Sequence, residues 1–67
     1  MLTSRERQVL ALIVLGASNR AIAETLVIAE RTAAIHVRTI FGKLGVTSRT
    51  QAAAYAAAHG LAAPPGA

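Results

Sequence analysis

Residues 18–46, SNRAIAETLVIAERTAAIHVRTIFGKLGV, leave few ways of hiding their apolar side chains from water. Behind Ser18, Ile22, Ala23 and Leu26 recur at helical spacing with Glu24 turned outward, which predicts a short helix over about 19–26. Val27, Ile28 and Ala29 form a tight turn with Ile28 directed inward, and a longer helix over 30–44 runs to Gly45. At 3.6 residues per turn, Ala33, Val37, Ile40 and Leu44 share one side of that helix and Phe41 its border. Arg31, Ala34, Ile35, Arg38 and Gly42 fall on the opposite stripe. A helix with a core side and a second, mixed basic and aliphatic side is built to meet something other than water.

The flanks supply what this pair needs to be buried. Thr3 and Glu6 stand in Thr-x-x-Glu spacing, in which hydroxyl and carboxylate each satisfy an orphan backbone amide. They open a helix of about 4–15, with Val9, Leu10, Leu12 and Ile13 inward, Leu2 stapling the entry and Gly16 as the left-handed stop. Ser48 with Gln51 forms a second capping box and opens a fourth helix of about 48–58 ending near Gly60. On it Ala52, Ala53 and Ala56 face inward, leaving Thr50, Ala54, Tyr55, Ala57 and Ala58 outward as a partner surface. Residues 62–67, AAPPGA, cannot continue a helix and are expected to form a flexible tail. The predicted fold is all-α, a four-helix helix-turn-helix domain over 1–61.

A chain of 67 residues is one domain at most, close to the size at which a hydrophobic core alone suffices. It has no cysteine, so neither a disulfide nor a thiolate metal site supports that core, as suits a cytoplasmic protein. Seven Lys and Arg against three Asp and Glu give a net charge of +4, which favours a polyanionic partner. A membrane surface is the weaker candidate, because the basic residues are dispersed from Arg5 to Arg49. Arg5 and Arg7 ahead of VLALIVLGA imitate a signal peptide, but Glu6 interrupts the basic stretch and a capped helix accounts for the segment better. No stretch reaches the roughly 20 apolar residues of a membrane span. An enzyme is excluded: no nucleophile–base pair, glycine-rich phosphate loop or metal cluster is present, so no catalytic residue, metal or cofactor is assigned. His36 reads as a structural residue between core and exposed stripe, His59 has no partner in the sequence, and Glu6, Glu24 and Glu30 read as first-turn helix charges or solvated positions.

The stretch LTSRERQVLALIVLGASNRAIAETL, Thr32 and His36 four residues apart, and KLGVTSRTQAAAYAAAHGL together resemble the LuxR-type, or GerE-like, helix-turn-helix domain of bacterial transcription regulators, over about residues 2–61. The resemblance implies sequence-specific binding of double-stranded DNA in transcription regulation, with the third helix in the major groove. It implies a homodimer on paired half-sites, held through the fourth helix. Carried over, the base-reading positions are Ala34, Ile35 and Arg38, and the phosphate positions are Asn19, Arg20, Arg31, Thr32, Thr39 and Lys43. The chemistry agrees: a guanidinium can fork onto guanine O6 and N7, an aliphatic group suits a thymine methyl, and a helix N-terminus offers free amides to a phosphate. Thr50, Ala54, Tyr55, Ala57 and Ala58 become the dimer surface, and Arg49 a structural bridge to helix one or to the loop, with a phosphate contact as its alternative.

The chain departs from the family pattern in ways that soften the third helix. Ala29 stands where Ser or Thr is usual, removing a cap at about 1 kcal/mol. Ala33-Ala34 replaces a Val-Lys pair, and Gly42 in the helix interior costs up to about 1 kcal/mol more. Weaker or more A/T-tolerant binding is expected. Two other readings compete: a helical protein-interaction module that keeps the fold without base reading, and a DNA-binding domain like region four of sigma factors. Since a regulator needs a sensory element, an N-terminal signal-input domain outside this chain is expected.

Overall fold

The computed structural model describes residues 1–61, and those residues fold into four helices. They are α1 (Ser4–Val14), α2 (Asn19–Leu26), α3 (Glu30–Leu44) and α4 (Arg49–His59). The tail expected at 62–67 lies outside the described residues.

Local chemistry sets each boundary. Thr3 Oγ1 accepts from the Glu6 amide at 3.1 Å while Glu6 Oε1 accepts from the Thr3 amide at 2.8 Å, the reciprocal box that the spacing predicts. Gly16 at φ +87° turns the chain out of α1, its amide donating to the Ile13 carbonyl and that of Ala17 to the Leu12 carbonyl. Helix α1 therefore stops at Val14, one residue short of the expected end. Ser18 Oγ accepts from the Ala21 amide and starts α2. Helix α3 starts from Ala29 in extended conformation with no side-chain cap, as the sequence implies.

Two terminal details differ from expectation. Ser48 Oγ caps the Gln51 amide, but Gln51 Oε1 reaches past Ser48 to accept from the Thr47 backbone amide at 2.8 Å and the Thr47 hydroxyl at 3.1 Å. Ser48 thus lies outside α4, which runs one residue further than expected, to His59. At the end of α2, Val27 takes a left-handed conformation (φ 56°, ψ 51°) with 89% of its surface exposed. Left-handed backbone is costly for a β-branched residue, by about 1–2 kcal/mol. The return is the sharp bend that lets Ile28 donate to the Ala23 carbonyl at 3.0 Å and tuck against the core.

The core forms where the inner faces meet. Val9 and Leu10 from α1, Ile22 from α2 and Ile40 from α3 are the largest fully buried side chains, with Ile13, Ala23, Ala33 and Val37 around them. Helix α2 packs against α3, and α1 lies against both α3 and α4. Ala52 and Ala56 are the buried residues of α4, so that helix approaches α1 with little side-chain volume between. The result holds α3 by one face and leaves its opposite face open.

Candidate nucleic-acid interface

Helix α3 divides as its periodicity predicts. Ala33, Val37 and Ile40 are buried, Leu44 and Phe41 are half-buried, and Arg31, Ile35, Arg38 and Gly42 are exposed on the far side. Ile35 keeps 57% of its surface in water although its neighbours on the other side of the helix are enclosed. Ala34 is half-buried at the edge of this ridge, and Thr32 and Thr39 are exposed beside it. The structure thus brings Arg31, Ile35 and Arg38 together on one convex line. His36 is half-buried on the flank.

The first turn of α2 carries Asn19, half-buried, and Arg20, exposed. Arg20 lies 3.9 Å from Glu24 one turn on, with 80% and 72% of the side chains exposed, a loose pair that solvent screens. Asn19 is held differently: its Oδ1 accepts from the Arg49 guanidinium, whose other arm donates to the Ala17 carbonyl at 2.9 Å. Arg49 therefore bridges α4 to the α1–α2 connection, the structural role expected for it.

Lys43 is the predicted phosphate residue that the structure commits elsewhere. Its Nζ donates to Glu6 Oε1 at 2.8 Å and to the Met1 carbonyl at 3.1 Å, on the flank of α3 that faces α1. The Glu6 carboxylate is nearly enclosed, with 8% of its side chain exposed, so it is neither a solvated charge nor merely half of a capping box. The Lys43 ammonium and the Thr3 amide hold the Glu6 carboxyl below the usual carboxylate range. A signal for this pair was present: Glu6, Val9, Leu10 and Ile13 share the helical spacing of one stripe, and a carboxylate on an apolar stripe requires a partner.

On α4, Thr50, Ala54, Ala57 and Ala58 are exposed as expected. Tyr55 is half-buried instead of standing outward. Its ring stacks on His59 with centroids 4.1 Å apart and lines a cleft shared with Leu2, Leu44 and Leu61. Among the described residues no cluster of three or more His, Cys, Asp or Glu side chains could hold a metal ion, and no helix is long and apolar enough to cross a membrane.

Over residues 1–56 the chain matches the bacterial regulatory proteins of the luxR family. The chain belongs to that family. The family is one of DNA-binding transcription regulators and not an enzyme class, and this luxR-family domain has its helix-turn-helix in α2 and α3. It is 48% identical over 60 residues to the transcriptional regulatory protein MctR of Rhizobium johnstonii, covering 90% of this chain and 28% of that protein. The transcriptional regulatory protein LnrK of Bacillus subtilis is 48% identical over 60 residues, 90% of this chain and 27% of LnrK. The response regulator protein VraR of Staphylococcus aureus is 48% identical over 61 residues, 91% of this chain and 29% of VraR. The luxR-family domain spans less than a third of the length of these curated relatives.

Proposed function

We propose that this domain binds double-stranded DNA in a sequence-specific manner, with α3 in the major groove, as a homodimer on paired half-sites within a cytoplasmic transcription regulator. The observation that carries the reading is the ridge of α3. An aliphatic side chain, Ile35, sits exposed between two arginines directly opposite a buried helix face. Arg38 forks onto guanine O6 and N7, Ile35 covers a thymine methyl, and Ala34 lies against the neighbouring base edge. Arg31, Thr32 and Thr39 on α3, with Asn19 and Arg20 at the start of α2, meet phosphates and set the register. Lys43 already shares its charge with Glu6 and donates to the Met1 carbonyl, which makes it the weakest of the assigned phosphate contacts.

Homodimerisation is assigned to the exposed side of α4: Thr50, Ala54, Ala57 and Ala58, with Tyr55 at its margin. The relatives' greater length and the response-regulator name of VraR support a signal-input domain N-terminal to this one in the intact regulator.

Selection of duplexes from a random pool, followed by titration at several salt concentrations, tests the reading. The selected site contains a guanine that Arg38→Ala makes indifferent, with affinity falling by a factor on the order of 10–100. With Arg20 and Arg31, and Lys43 in part, neutralising about two to three phosphates per protomer, log affinity falls against log salt with a slope of roughly −2 to −3 for each half-site. A pool that yields no enriched sequence, or enrichment unchanged by Arg38→Ala, excludes base reading by α3. Retained binding of a protein partner by that same variant is then the mark of an interaction module.

A further inference from the structure

The fork of Arg49 constrains more than the packing of α4. Arg49 is the first residue of α4 and Asn19 the first residue of α2, thirty positions earlier in the chain. A guanidinium has five N–H donors and no acceptor, so the Asn19 amide can meet it only through its oxygen. The Asn19 Nδ2 group, with both of its donors, is then turned away from Arg49. The second arm, on the Ala17 carbonyl at 2.9 Å, prevents the guanidinium from rotating out of this role. Both contacts are part-buried, so water competes weakly for either partner.

Around Asn19 the backbone adds to the same effect. Ser18 Oγ takes the Ala21 amide and the Ser18 carbonyl takes that of Ile22. The amides of Asn19 and Arg20, in the first turn, have no acceptor one turn back and point out of the helix end.

We propose that Arg49 is a positioning residue for DNA: it locks the Asn19 side-chain amide so that Nδ2 donates to a backbone phosphate alongside the first-turn amides of α2. This rests on the DNA-binding reading above. It also makes α4 a participant in phosphate recognition, since the helix assigned to pairing two copies carries the residue that orients a phosphate donor. The alternative, direct contact of Arg49 with phosphate, leaves Asn19 independent of it.

A double-mutant cycle on the 67-residue chain separates these. Wild type, Asn19→Ala, Arg49→Lys and the double variant are titrated with the selected duplex at a temperature where circular dichroism shows each to be folded. A lysine in place of Arg49 keeps the charge but cannot fork onto two acceptors. Asn19→Ala is expected to weaken binding about tenfold, Arg49→Lys by a similar factor, and the double variant no further than either alone. In nitrogen-15 spectra the Asn19 side-chain amide shifts when duplex is added to wild type and stays unmoved in Arg49→Lys. Losses that multiply to about a hundredfold in the double variant overturn the proposal, as does an Asn19 amide that shifts equally in Arg49→Lys.

Asn19→Asp keeps an acceptor for Arg49 and removes both donors, so it retains the melting temperature and loses affinity. If Arg49→Lys does not fold, an Asn19→Asp domain that binds as tightly as wild type overturns the proposal instead. Arg38→Ala runs in parallel: intact binding by both Arg38→Ala and Asn19→Ala means that the DNA reading has failed and the positioning role with it. A loss confined to Arg38→Ala leaves the DNA reading standing and removes only Asn19 and Arg49.

Discussion

At the scale of single residues, Glu6 carries the most unusual balance of forces. Its carboxylate sits on the apolar stripe of α1 and is compensated by a lysine 37 positions away, so the cost of burying the charge is offset only with Lys43 of α3 in place. Because the folded state holds this carboxyl below its ordinary range, the unfolded chain binds the proton more readily. The stabilisation is therefore complete above the unfolded value, roughly pH 4.3 for a glutamate, and is lost as pH falls through the lower folded value. Melting temperatures of wild type and Glu6→Gln should differ by a constant amount near neutrality and converge in acid. A gap that persists unchanged well below pH 4 would mean that the Lys43 pair contributes nothing and that packing alone places the side chain. The same pair bears on the proposed phosphate contact, since the Lys43 charge is already partly neutralised by Glu6.

At the scale of elements, α3 lacks two local sources of helix stability although it carries the proposed interface. Ala29 already has the extended backbone of a cap (φ −67°, ψ 147°) but no side chain to use it. Gly42 is exposed in regular helix, and a methyl group added there meets no atom within 4 Å. Ala29→Ser should therefore add about 1 kcal/mol and Gly42→Ala about 0.8–1 kcal/mol. The two sites lie far apart, so urea midpoints should show the gains adding. A destabilised Gly42→Ala would contradict the open surroundings of that position in the folded domain.

Helix α3 also shows which parts of the fold were legible beforehand. Its buried and exposed faces, and the caps at Thr3, Ser18 and Ser48, follow from side-chain spacing within a few residues, and the structure reproduces them. The left-handed Val27 was not legible, because no glycine or asparagine marks the bend; tertiary docking of α2 on α3 imposes it. Nor was the partial burial of Tyr55, which depends on the cleft it lines with Leu2, Leu44 and Leu61. Within the candidate site, the ridge of Arg31, Ile35 and Arg38 was readable from one helix alone. For two other contacts the sequence marks one end only: Glu6 on an apolar stripe requires a partner and Arg49 reads as a bridge, but Lys43 and Asn19 lie at least thirty positions away and only the fold names them.

At the scale of the whole molecule, the geometry of one ridge argues for two copies. From Arg31 to Arg38 the helix rises by about 10 Å at 1.5 Å per residue, the length of roughly three base-pair steps of DNA at 3.4 Å each. Beyond Arg38 the next position on the ridge is Gly42, which offers no side chain to a base. Three or four specified base pairs recur by chance about once in every 64 to 256 positions, so a single domain cannot single out a regulatory site. Two domains held in fixed relation double the specified sequence and space the half-sites by about one helical turn or a multiple of it. The exposed alanines of α4 suit that role because two such helices can approach closely. Ala54→Glu and Ala58→Glu together should place like charges across that contact while changing the monomer little, surface substitutions of this kind shifting stability by about 0.5 kcal/mol or less. On a duplex with both half-sites the variant should bind more weakly and lose the steep concentration dependence of a cooperative pair. On a duplex with one half-site it should match wild type apart from a small general penalty for added negative charge. Equal cooperativity in wild type and variant would remove α4 as the pairing surface and return the question to elements outside this domain.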